Sequence, residues 1–141
     1  MRPRKVVLCV DDNEMVLSLR RVVLETHGFR VITALGAENA IEAFCEERPS
    51  LVLTDLIMPG IDGNELAARL KEIDADIPVI IYSGATMNLA AASNADSFLP
   101  KGTTAAEMLD RVRLLAVRKR GPRKKEFPQP LTPDEWLRRS A

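Results

Sequence analysis

The sequence predicts a doubly wound α/β sandwich, (βα) repeated five times around one five-stranded parallel sheet. Three observations predict it. Short, β-rich apolar runs alternate with stretches of helical periodicity over most of the chain. Those runs lack polar alternation, as strands covered on both faces do. The unusual polar residues (Asp11, Asp12, Asp55, Ser83 and Lys101) all stand where such a run ends.

The elements follow in order. "KVVLCV" (5–10) is a strand stopped by Asp11-Asp12, and the helix after it carries Met15, Val16, Leu19 and Val23 at helical spacing and stops at Gly28. "RVITAL" (30–35) is a β-branched strand. "AENAIEAFCEER" (37–48) is a helix burying Ala40, Ile41 and Phe44, closed by Pro49. "LVLT" (51–54) is the third strand, and 63–74 is a helix with Leu66, Ala67 and Leu70 inward. "IPVIIYS" (77–83) is the fourth strand, and 85–93 leaves room for only a short helix. "DSFLP" (96–100) is the fifth strand, followed by a helix over 103–120 with Thr103 or Thr104 as its N-cap.

The 141 residues are 46% hydrophobic and 28% charged, which suits one globular domain and a tail and excludes a disordered chain. No apolar run approaches the roughly 18–20 residues that cross a bilayer. The start of the chain is too short in apolar residues for a signal-peptide core, which argues for a cytoplasmic protein. Cys9 lies in a strand and Cys45 in a helix, with His27 the one histidine; two buried reduced thiols are expected, not a disulfide or a zinc site. His27, at a helix end, takes no functional role.

Charge divides the chain. Up to Val117 there are 12 Lys/Arg against 17 Asp/Glu (net −5), and beyond it 8 against 3 (net +5). The division places a domain at 1–118 and a basic, Pro-containing tail at 119–141. Within the tail 133–139 reads as a short helix, with Thr132 as N-cap and Pro133 at its first position.

In an open α/β sheet, ligands bind beyond the carboxyl ends of the strands, at the point where strand order reverses. Asp11, Asp12 and Asp55 meet at that edge, and their mutual repulsion calls for a divalent cation. Oxygen ligands without His or Cys favour Mg²⁺. With Lys101 as a second positive charge and Ser83 as a hydroxyl, the constellation suits phosphoryl transfer to Asp55 as nucleophile.

Four motifs, "VDDNE" (10–14), "LVLTDLIMPGIDG" (51–63), "IIYSGA" (80–85) and "FLPKG" (98–102), appear in order at successive strand ends. Together they resemble the response-regulator receiver domain of two-component signalling, the flavodoxin-like fold of CheY, over about residues 4–118. The wording of the last two is similar to receivers of hybrid sensor kinases. The resemblance implies Asp55 as phosphoacceptor. Asp12 would bind Mg²⁺ directly, Asp11 through water, and Ile57 through its backbone carbonyl. Lys101 would pair with phosphoryl oxygens, Ser83 would be the switch hydroxyl, and Phe98 the aromatic that follows it. Gly84 would leave the site open.

The implied function is a phosphoacceptor in a phosphorelay, charged by a histidine kinase or histidine phosphotransfer protein. It would assist its own phosphorylation without being an enzyme on a separate substrate. Output would pass through protein–protein contacts, as a monomer or a phosphorylation-dependent dimer, with no dedicated DNA-binding domain. Rival readings are a haloacid-dehalogenase-type phosphohydrolase, a phosphorylation-independent receiver-like adaptor, and a regulator that contacts nucleic acid through the basic tail. The first expects an acid pair spaced DxD on the first strand, whereas Asp11 and Asp12 are adjacent.

Three departures from the family pattern stand out. Gly102 follows the lysine where proline is usual, which loosens that turn. The segment from Ser83 to Lys101 is about one helical turn short, so no dimer mode carries over. Ile57 and Ala85 are apolar where other members place polar groups near attacking water. Slow self-dephosphorylation is therefore expected, and loss of the label within seconds from purified phosphoprotein would overturn it.

Overall fold

The fold comes from a computed structural model that describes residues 4–84 and 93–116. Five strands, β1 (Val6–Asp11), β2 (Arg30–Leu35), β3 (Leu51–Thr54), β4 (Val79–Ser83) and β5 (Ser97–Pro100), form one parallel sheet in the order β2-β1-β3-β4-β5. Chain order reverses between β1 and β3, so their carboxyl ends flank the crevice expected of such a sheet. The helices described are α1 (Glu14–Thr26), α2 (Ala37–Glu47), α3 (Gly63–Ile73) and α4 (Ala105–Ala116). The helix expected within 85–93 falls almost wholly outside the described residues, as do the tail and its short helix.

Alternation along β1 divides the core. Val7 and Cys9 face one layer with Leu17 and Leu24 of α1 and Met108, Leu109 and Val112 of α4. Leu8 and Val10 face the other, with Ile41 and Phe44 of α2 and Leu66 and Leu70 of α3. Both faces are covered, which explains the unbroken apolar runs of β1, β3 and β4. No helix among the described residues is long and apolar enough to cross a membrane.

Local chemistry sets the helix ends. The Asn13 side chain accepts from the Met15 and Val16 amides and starts α1, and Gly28, at φ 93°, follows its end. Asp62 caps α3 by accepting the Glu65 amide at 2.8 Å. At α4 the choice between Thr103 and Thr104 resolves to Thr104, whose hydroxyl accepts the Glu107 amide at 3.1 Å.

Two expectations need correction. On α1 the buried face is Leu17, Arg20 and Leu24, with Val16 and Val23 half-buried, whereas Met15 and Leu19 are exposed. Apolar residues run almost all the way round this helix, and an arginine in the inward register hides the true face from a periodicity count. Of the two free thiols, Cys9 is buried but Cys45 only half-buried. Burial pushes the Cys9 thiol up to about 12, which leaves it unreactive.

Candidate functional site

Strand register carries the acids to one place. Asp11 is the last residue of β1, and Val10 pairs with Thr54, so the first residue beyond β3, Asp55, lies beside it. The Asp55 amide donates to the Val10 carbonyl at 2.9 Å and fixes that neighbourhood. Asp12 extends the edge into solvent while Asp11 and Asp55 are buried, and one carboxylate oxygen from each of the three lies within 4.8 Å of the others. On the opposite lip Ser83 pairs with Pro100 in register, and the Lys101 amide donates to the Ser83 carbonyl at 3.0 Å.

The two buried carboxylates are held by amides on one oxygen and face cations with the other. Asp11 Oδ1 accepts the Asn13 amide at 2.9 Å, and Asp55 Oδ1 accepts the Leu56 amide at 2.8 Å. Lys101 Nζ lies 3.6 Å from Asp55 Oδ2 and 3.9 Å from Asp11 Oδ2. Burial raises the Asp11 carboxyl above its ordinary range and the Asp55 charge adds to that; the Asn13 amide, Arg20 and Lys101 pull it back. Asp11 Oδ2 is buried, has no hydrogen-bond donor among the described residues, and faces the cations of Arg20 and Lys101 at 3.5 Å and 3.9 Å. Such a set of hard oxygens fits a cation of the Mg²⁺ type.

The remaining expected residues are distributed around this centre. Ile57 lies two positions past Asp55, its side chain exposed at the mouth. Ser83 is buried. Phe98 is half-buried against Leu56 and Ile81, which connects β5 to the residue directly after Asp55. A side chain at Gly84 would sit 3.3 Å from Lys101 Cδ, so glycine there leaves the lysine its path to the acids.

Two residues escaped the sequence reading. A Cβ at Gly63 would lie 2.1 Å from the Asp55 carbonyl oxygen, so the start of α3 presses on the backbone of the acid itself. Arg20, only 5% exposed, reaches from α1 to within 3.5 Å of Asp11 Oδ2 and lies over the Tyr82 ring. Its position three residues from Leu17 and four from Leu24 is the signal that places it inward.

Comparison with known proteins agrees with the fold. Residues 7–113 match the family described as "Response regulator receiver domain". The C4-dicarboxylate transport transcriptional regulatory protein DctD of Pseudomonas aeruginosa is 38% identical over 111 residues, 76% of this chain but 24% of that protein. The transcriptional regulatory protein PrrA of Mycobacterium tuberculosis is 34% identical over 82% of this chain and 51% of its own length. The chain thus spans a quarter to a half of these relatives. The response regulator receiver protein CpdR of Brucella abortus is 39% identical over 70% of this chain and 78% of its own. Among solved structures, the Thermotoga maritima response regulator TrrA, in complex with Mg²⁺-BeF, superposes with a TM-score of 0.74 at 27% identity, covering 79% of this chain and 98% of that one. With the parallel five-stranded order, the acid cluster and the lysine at their strand ends, these matches make the chain a member of the response regulator receiver domain family.

Proposed function

We propose that Asp55 accepts a phosphoryl group from a histidine kinase or histidine phosphotransfer protein, with Mg²⁺ as cofactor, and that output passes through altered protein contacts. The observation that carries this reading is the meeting of Asp55 Oδ2 with Lys101 Nζ at 3.6 Å beside two further carboxylates. Asp12 and Asp55 would hold the metal directly, Asp11 through water, and the Ile57 carbonyl would complete the set. When bound, the metal supplies positive charge to the phosphoryl oxygens and offsets the repulsion between phosphate and acids.

The chain's own residues do the rest. A carboxylate oxygen of Asp55 attacks phosphorus as the bond from phosphorus to the donor's nitrogen or oxygen breaks, and the leaving group keeps that electron pair. Lys101 moves its charge from the carboxylate toward the new phosphoryl oxygens. Ser83 supplies a hydroxyl donor from β4, and Phe98 responds through its packing on Leu56. The reaction stops at an acyl phosphate on the chain itself, which is why the protein is not an enzyme on a separate substrate. Ile57, apolar and exposed at the mouth, offers no polar group to an attacking water, and the phosphoryl group is accordingly long-lived.

The test is intact-mass analysis after acetyl phosphate treatment with Mg²⁺ and with chelator. A phosphoryl adduct that requires the metal supports the reading; no adduct, where another receiver is labelled, overturns it.

A protein donor must also dock. Met15, Leu19 and Val22 form an exposed apolar stripe on α1, at helical spacing and beginning just past Asp12. Leu19→Glu should slow transfer from a phosphorylated histidine protein by about tenfold or more while leaving acetyl phosphate labelling unchanged. Equal loss with both donors would show that the change damages the fold and not a docking face.

A further inference from the structure

We propose that Arg20 is a resident counter-cation of the acidic site that stabilises its metal-free form and holds its divalent-metal affinity down. The inference rests on the reading that the three carboxylates take Mg²⁺. Arg20 sits in the middle of α1 on its inward face and is 5% exposed. Its guanidinium lies 3.5 Å from Asp11 Oδ2, and its carbon lies 4.6 Å from the centre of the Tyr82 ring. Both terminal nitrogens of Arg20, like Asp11 Oδ2, are buried without a hydrogen bond among the described residues.

That is a costly arrangement for a guanidinium with five donors, and packing alone gives no reason to keep it. Its return is electrostatic. Asp11 is itself buried beside Asp55 and Asp12, and removing one member of a buried charge pair leaves the other uncompensated. Lys101 is the other cation in reach, but it stands at the exposed lip and can swing away when a metal or phosphate arrives. Arg20 has no such exit: the Tyr82 ring covers its face, and the Tyr82 hydroxyl reaches the Thr103 carbonyl at 3.4 Å.

A divalent ion entering the crevice therefore meets one charge that yields and one that stays. The fixed charge lies just behind Asp11, within range for repulsion in a partly desolvated site. Arg20 so acts on the metal through Asp11, as a positioning residue. Its removal should have two linked effects: a less stable metal-free fold and tighter metal binding.

The test is calorimetric titration of MgCl₂ into the full chain at a pH well above the carboxylate range, with thermal unfolding recorded with and without metal. Arg20→Met and Arg20→Gln should bind Mg²⁺ about tenfold more tightly than the unmodified protein and show a larger metal-dependent rise in Tm. Arg20→Lys, which keeps the charge, should stay near the parent affinity. So should Arg21→Leu, which removes an equal charge from a side chain directed to the Val31 carbonyl. Unchanged or weaker Mg²⁺ binding by both neutral variants would overturn the proposal. Should both be unfolded without metal, refolding by Mg²⁺ is the expected result and its failure the contrary one. If the unmodified protein takes up no Mg²⁺, the metal reading itself fails, an outcome distinct from equal binding by parent and variants.

Discussion

Gly63→Ala should destabilise the fold by about 3 kcal/mol or more and disable the site with it. A methyl group there would lie 2.1 Å from the Asp55 carbonyl oxygen and 3.0 Å from both the Asp55 carbonyl carbon and the Leu56 Cα. All three are backbone atoms, so no side chain can turn aside. The Gly63 amide also donates to the Leu56 carbonyl at 2.7 Å, which ties α3 to this loop. Either α3 retreats, opening the layer where Leu66, Ala67 and Leu70 are fully buried, or the Asp55 peptide moves and strains its 2.9 Å bond to Val10. Denaturant unfolding measures the first loss, and acetyl phosphate labelling the second. Gly102→Ala is the comparison: a Cβ there meets nothing within 4 Å, and its effect should stay within about 0.5 kcal/mol. A Gly63→Ala protein as stable as the parent would show that this contact does not hold Asp55 in place.

The contrast between those glycines shows what sequence can and cannot carry. Strand ends are legible because a buried strand must stop where polarity begins, so the sequence alone places Asp11, Asp55, Ser83 and Lys101 at one edge of the sheet. The inward faces of α2 and α3 were legible too, since each has one apolar stripe and a polar remainder. On α1 that logic failed. Three apolar registers compete there, and the buried one contains Arg20, a residue that hydropathy assigns to solvent. Gly63 failed for another reason: its role depends on how closely α3 approaches β3, a distance that no local pattern encodes. Asp11 shows the same limit in its charge balance. The acids were visible in the sequence, but the guanidinium that faces them arrives from a different element.

Asp55→Asn should give no phosphoryl adduct at any time of exposure to acetyl phosphate, and Lys101→Met should slow labelling by about a hundredfold. The two losses differ in kind. The amide of asparagine keeps the shape and the 2.8 Å contact available to the Leu56 amide, but it lacks the anionic oxygen that attacks phosphorus. Its fold should therefore persist, and relief of repulsion among three clustered acids should leave it no less stable than the parent. Lys101→Met keeps the nucleophile and the acids but removes the charge 3.6 Å from Asp55 Oδ2. That charge serves the transition state more than the resting site, because Lys101 at the lip is partly solvated and weakly held by the carboxylates. The loss should accordingly fall on the rate and little on stability. Saturating Mg²⁺ should not restore the rate, since a metal held by the acids would not replace the charge that Lys101 brings to the phosphoryl oxygens. Were labelling of Lys101→Met to proceed at the parent rate, the lysine would be only a surface charge beside the acids. Were Asp55→Asn still to gain phosphate, the nucleophile would have to be sought at Asp11 or Asp12, and the proposed order of roles at this edge of the sheet would fail.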